Sequence, residues 1–301
     1  MEDIEQIRER RDNIEAISPI VTSMRTISAG SWRQALQRRE ASTRFSDYMQ
    51  WALAGAMGRL SADQLKKLGI PDRPVPPRRP LLLVVSSQRG LCGAYNDLVV
   101  RGADELITGH LVQSEDVLVA SLGSRGTSLL RQLGRRVDID WPLPASRVAS
   151  MELVAAIARE LYDVLEDGTA DAVYVLYSPY RAGALAPVIS ERWLPIDTSL
   201  LPPASQDPSA VIIEGDAVSL VRQALHEWAT ARLYRMIIDA AASEQAARYR
   251  AMDTASGNLA RLIEELTLQY HSARQHAITM EMLDLAAGAE GSRSGVERSE
   301  L

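Results

Sequence analysis

The residues best placed to do chemistry are Ser86-Ser87-Gln88-Arg89-Gly90-Leu91-Cys92-Gly93, which directly follow the apolar run Leu81 to Val85. A glycine-bearing turn after a buried strand is where doubly wound folds bind phosphates, because the backbone N–H groups of the next helix point at the ligand. Here Gly90 and Gly93 stand three apart and match neither GxGxxG nor GxxxxGK followed by Ser or Thr, and the turn carries no lysine. The segment therefore reads as a tight strand-to-helix turn that needs small residues. Cys92, the single cysteine, could act as a nucleophile only beside a base, and the nearest histidine in sequence is His110. It reads as a buried structural cysteine. The histidines His110, His226, His271 and His276 form neither HExxH nor a facial triad, and His271 and His276, five apart on a helix, point to different faces. The pair Glu264-Glu265 reads as a solvated helix face. These residues give no catalytic residue, no cofactor site and no metal site.

The elements that carry these residues fall into two kinds. A Pro-rich break from Pro71 to Pro80 ends the first helical region, since proline cannot continue a helix. Leu81 to Val85 then reads as a strand buried on both faces. Helices are expected over 96–108, 124–133 and 151–165, with strands over 117–120 and 172–177. Strands alternating with helices imply right-handed crossovers and a mainly parallel sheet, so residues 78–200 form a Rossmann-like α/β domain. A second Pro/Ser-rich stretch, Leu201 to Pro208, closes it.

The two ends of the chain are different. Tyr249, Met252, Ser256, Leu259, Ile263, Leu266, Tyr270, Ala273, Ala277, Met280 and Asp284 alternate three and four residues apart. That heptad seam gives a left-handed coiled coil with a partner helix. From Asp216 to Ala287 such a helix would run on the order of 105 Å, longer than a compact core requires. Its partner is the stripe Ile4, Ile7, Ile14, Ile17, Val21, Met24 and Ile27 near the N-terminus. The expected architecture is thus α/β with a long antiparallel coiled coil: an N-terminal helix within 1–70, the inserted domain at 78–200, and a C-terminal helix at 209–289. A polar tail over 290–301 is expected to be disordered. Pro19 should bend or interrupt the first helix.

Composition narrows the function. The 301 residues suffice for two structural units, and a net charge of −6 offers no basic surface for nucleic acid. No apolar run approaches the ~18 residues that span a bilayer. The acidic start Met1-Glu2-Asp3-Ile4 is unlike a signal or transit peptide, so the chain is expected in the cytoplasm or on the cytoplasmic face of the inner membrane, attached to membrane only through other subunits. One cysteine excludes an intrachain disulfide. The 31 arginines against two lysines, Lys66 and Lys67, read as codon bias.

Four stretches, Ala273 to Asp284 with Gly288-Ala289, Ala242 to Arg248, Arg89 to Gly93 with Asn96, and Ile20 to Met24, together resemble the gamma subunit of F-type ATP synthases. Ala273 to Asp284 with Gly288-Ala289 is similar to that family's C-terminal signature, Ile-Thr-x-Glu-x-x-acid-x-x-x-Gly-Ala. Ala242-Ser243-Glu244-Gln245-Ala246-Ala247-Arg248 resembles a second segment, Arg89-Gly90-Leu91-Cys92-Gly93 with Asn96 a third, and Ile20-Val21-Thr22-Ser23-Met24 a fourth. The resemblance, to a divergent bacterial or archaeal-type member, implies a non-catalytic rotor shaft. Its terminal helices would stand in a ring of alpha and beta subunits, with the α/β domain against epsilon and the c-ring. It also implies that Arg274 and Gln275 hydrogen-bond an acidic loop of beta, a task suited to a guanidinium beside an amide. Thr279 and Glu281 match further coupling positions, and Met24 the methionine that faces them from the first helix. Arg25 and Ser31 stand where the family usually has glutamate and lysine. A gamma-like paralogue that regulates an ATPase without productive rotation is the alternative.

Overall fold

The computed structural model describes the whole chain except residues 1–3, 71–75, 110–116, 145–147, 202–214 and 298–301, and it gives no side-chain placement for residue 200 or 287–297. His110 and most of the second Pro/Ser-rich stretch lie outside the described residues. The chain divides into two compact units, one of residues 1–25 with 252–301 and one of residues 26–251. Two long helices contribute to both: α1, Ile4–Met57, and α6, Ala217–Glu297.

In the larger unit, five strands form one sheet. They are β1 (Pro80–Val85), β2 (Leu118–Leu122), β3 (Ile139–Trp141), β4 (Ala172–Tyr177) and β7 (Ile189–Leu194), in the order β3-β2-β1-β4-β7. The first four are parallel and β7 is antiparallel to β4. Strand β1 is central and every one of its six residues is buried, as a run of leucine and valine covered on both faces requires. Helices α3 (Tyr95–Gly109), α4 (Ser124–Gln132) and α5 (Met151–Glu166) supply the crossovers. The side of the sheet presenting Leu81, Leu83 and Val85 packs with α5 and with the Val221 to Ala240 stretch of α6. The other side, Leu82 and Val84, packs with α3. A short helix α2 (Ala62–Lys67) and a two-stranded hairpin, β5 (Tyr180–Arg181) and β6 (Ala184–Leu185), complete the unit. The sequence signal for α2 is a capping box: Ser61 accepts from Gln64 N–H and the Gln64 side chain accepts from Ser61 N–H.

Within this unit α1 and α6 run antiparallel, Trp32 meeting Tyr249 at 5.8 Å between ring centroids and Arg39 pairing with Asp239. In the smaller unit they also run antiparallel: Arg25 Nη1 lies 3.0 Å from Asp253 Oδ1, and the Arg11 guanidinium sits 5.4 Å above the ring of Tyr270. The α6 seam there is as the heptads require, with Met252 and Leu266 buried and Ser256, Leu259, Ile263, Tyr270 and Ala273 half-buried. The α1 seam differs from the expected stripe. Ile4, Ile7, Arg11, Ile14, Ser18, Val21 and Met24 are covered, whereas Ile17 and Ile27 are 48% and 54% exposed. A coiled-coil seam advances by an average of 3.5 residues, and Arg11 and Ser18 keep that spacing while Ile17 falls off it.

One further expectation, an interruption of α1 at Pro19, is corrected. Pro19 does not interrupt α1, which is helical on both sides of it. Glu15, whose carbonyl loses its donor, and Pro19 itself are both exposed, so water can satisfy the freed group. The 290–301 tail is helical as far as Glu297. Extending an existing helix gains one hydrogen bond for each residue ordered and needs no new nucleus.

Candidate partner-contact site

The turn after β1 is closed by its own side chains. Asn96, in the first turn of α3, accepts from the N–H and hydroxyl of Ser87 at 3.1 and 2.9 Å and donates from Nδ2 to Cys92 Sγ at 3.0 Å. Burial pushes the Cys92 thiol above its usual range, which disfavours the thiolate a nucleophile would need. Leu91 and Gly93 adopt left-handed backbone, with φ of 64° and 59°. Gly123, at φ 106°, abuts the same corner, where a Cβ would stand 2.8 Å from the Ser86 and Ser87 carbonyl oxygens. The space that remains between the turn and α6 is a cavity of about 30 Å³, room for one or two waters.

Arg248 of α6 reaches into this corner. Its Nη2 donates to the carbonyls of Arg89 at 2.9 Å and Gly90 at 3.3 Å, and Nη1 pairs with Glu244 one turn earlier. Burial pushes the Glu244 carboxyl up, against the opposing charge of Arg248. Two of the sequence motifs, 89–93 and 242–248, thus form one structural joint. A second joint lies on β7. Glu191 accepts from the Tyr177 hydroxyl at 2.6 Å and from Arg232 at 3.0 Å, with Arg235 at 3.6 Å. Burial acts to raise the Glu191 carboxyl, but those hydrogen bonds and charges outweigh it and hold it below the usual range. Sequence reasoning missed this joint, because Glu191 and Arg232 are distant in the chain and neither belongs to a motif.

The sequence-derived contact residues sit elsewhere. Arg274, Gln275, Thr279 and Glu281 are all exposed on α6. Every described side chain from Arg274 to Ala286 is exposed, including Ile278, Met280, Met282, Leu283 and Leu285 at 46% to 70%. The cause is register. With Arg11 beside Tyr270, Ile4, the first described residue of α1, reaches about the level of Ala277, so Met280 and Asp284 have no described α1 residue to meet. The Thr279 hydroxyl is turned back onto its own helix and donates to the Gln275 carbonyl at 2.8 Å.

Met24 does not face these residues. Its neighbour Arg25 pairs with Asp253, which precedes Thr279 by 26 residues, about 39 Å of helix rise. Antiparallel pairing holds, but its register sets Met24 opposite the start of the seam. Among the described residues no three His, Cys, Asp or Glu side chains group as a metal site would need, and no helix is long and apolar enough to cross a membrane.

Known proteins share this arrangement. The profile of a family described as ATP synthase matches residues 3–291. The ATP synthase gamma chain of Synechococcus sp. (strain PCC 6716) is 30% identical, over 97% of this chain and 100% of its own length. That of Anaeromyxobacter sp. (strain Fw109-5) is 28% identical over 96% and 99%. In fold, the chain resembles one in the OSCP/F1/c-ring structure of the Euglena gracilis mitochondrial ATP synthase, with a TM-score of 0.68 at 16% identity, covering 97% of this chain and 95% of that one. A chain of the same enzyme's rotor gives 0.65 at 16% identity, over 91% and 98%. With the profile spanning both long helices and the inserted sheet, and a relative 30% identical over its full length, the chain belongs to the ATP synthase gamma-chain family.

Proposed function

We propose that this subunit turns within a ring of alpha and beta subunits and that its contact with beta is the exposed end of α6. The observation that carries this reading is the abrupt change at Arg274. Up to Ala273 the seam is covered by α1, and beyond it the helix presents apolar side chains to solvent in a run that only a partner surface would bury. Arg274 and Gln275 lie at the start of that run. They offer a planar fork of donors and an amide, the groups that recognise carboxylates and backbone carbonyls. Ile278, Met282 and Leu285, which share one side of the helix, then supply a bearing face, on which apolar contact gives attraction without fixing one angular position. Glu281 adds a charge to the same segment. Met24, on the covered seam, acts by supporting the helix pair.

In this reading the α/β domain contacts epsilon and the c-ring, and the complex lies on the cytoplasmic face of the inner membrane. The features that would support the regulatory alternative are Pro19, Arg25 and the tail. Pro19 leaves α1 unbroken, Arg25 has an intramolecular partner in Asp253, and the tail continues α6 to Glu297. The test is co-expression with alpha, beta and epsilon subunits of the same source. The chain should co-purify as one copy in a complex with ATP-driven ion pumping. A stoichiometric complex that hydrolyses ATP without pumping when joined to its membrane sector would favour the regulatory alternative.

A further inference from the structure

Between residues 28 and 46, every buried position of α1 carries a small side chain: Ser28, Ser31, Ala35, Ser42 and Ser46. The α6 residues in the cluster around Ala35 are Ile238, Ala242 and, partly buried, Tyr234 and Ala241. Small residues let two helices approach closely, yet they interlock weakly, because register in a helix pair comes from bulky knobs in holes or from specific polar pairs. In this stretch α1 has few bulky knobs and two adjacent arginines. Arg39 Nε donates to Asp239 of α6, whose side chain is only 10% exposed, and the guanidinium lies 5.9 Å from the centre of the Tyr180 ring on β5. Arg38 Nη1 donates to the carbonyls of Val148 and Ala149, at 3.4 and 3.2 Å, in the segment leading into α5. One turn of α1 is therefore tied at once to α6, to the hairpin and to the entry of α5.

We propose that Arg38 and Arg39 are positioning residues for rotation, locking α1 to α6 and to the α/β layer so that the three turn as one body. The proposal rests on the rotor reading above. A shaft whose two helices meet on small side chains can slip along or around its seam under load. A paired charge on one side and two carbonyl bonds on the other remove that freedom. Arg39 acts through Asp239 and Arg38 through the carbonyls, and neither touches nucleotide.

The experiment uses the full chain, alone and reconstituted with its alpha, beta and membrane-sector subunits, as wild type and as R38A, R39A, R39K and R39D/D239R. In the isolated chain, amide exchange of α1 residues 35–46 should quicken roughly 10- to 150-fold in R39A, the equilibrium equivalent of one charge-assisted hydrogen bond. R39K should recover most of that protection, and R39D/D239R part of it. In the complex, R39A and R38A should keep ATP turnover while the number of ions moved per ATP falls, and R39K should restore that ratio. Quickened exchange with an unchanged ratio would make the pair merely structural and overturn the proposal. So would unchanged exchange in R39A. If the wild-type chain itself assembled no pumping complex, the rotor reading would fail first, a result separable from failure of the variants alone.

Discussion

Replacing Arg248 by alanine should destabilise the fold by more than any single hydrogen bond is worth, and by an amount that depends on pH. The side chains of Arg248 and Glu244 are 9% and 11% exposed, so the pair is buried. Removing one partner of a buried pair leaves an uncompensated charge and costs about 3–5 kcal/mol. The lost bonds to the Arg89 and Gly90 carbonyls fall within that figure. For a chain of this size a loss of that order corresponds to about 6–20 °C in melting temperature. The pH dependence has a definite sign. Burial raises the Glu244 carboxyl in the folded state and Arg248 opposes that rise, so the variant carboxyl is raised further. A group raised on folding stabilises fully below its unfolded value and progressively less as pH rises through its folded value. The penalty of R248A should therefore be large near neutrality and shrink as the pH falls toward about 4.5. In R248A/E244Q the buried charge is gone, so much of the loss at neutral pH should return. Thermal melts of wild type, R248A and R248A/E244Q across pH provide the assay. A shift of R248A below about 2 °C at neutral pH, or one equal at acid and neutral pH, would refute the account of this joint.

Other consequences can be checked more briefly. E191Q should cost about 3–5 kcal/mol in denaturant titration by leaving buried Arg232 without its carboxylate. Since the Glu191 carboxyl is held low in the fold, the wild-type contribution should persist above the unfolded value and vanish as pH falls through the folded one. Gly126→Ala would set a Cβ 2.1 Å from Ser86 Oγ and 2.4 Å from its Cβ, and overpacking of this kind should cost about 1–3 kcal/mol. R274A/Q275A should melt like the wild type and still assemble, because both side chains are exposed, while ATP-driven pumping and cooperative turnover fall. Normal turnover and normal ions per ATP in that variant would remove the pair from the contact.

The long helices were legible because a heptad repeat is a property of spacing alone, and Met252 through Ala273 lie as that spacing demands. The same rule was misapplied at Ile17 and Ile27, where hydrophobicity outweighed position. Arg11 and Ser18 fill seam positions that their polarity concealed. The parallel core strands announced themselves as apolar runs. Strand β7 did not, since its Ser190-Glu191-Arg192 stretch belongs to a sheet edge and is largely polar. The proposed contact residues on α6 were reachable only by resemblance, and what the sequence lacked was register. Nothing in the spacing tells where α1 gives out along α6, and that point decides which apolar residues face solvent. The Arg248 joint was half legible, for both motifs were recognised but their meeting is a matter of tertiary packing.

In the proposed reading this chain is a shaft turned by a nucleotide-driven ring through the end of α6. This is tested most directly by fixing the alpha and beta subunits to a surface, attaching a probe to a cysteine placed on the α/β domain, and watching the probe as ATP is added. Sustained rotation in one direction that slows at limiting ATP is expected, with R274A/Q275A turning poorly from an intact complex. A complex that holds this chain and hydrolyses ATP while the probe stays still would contradict it.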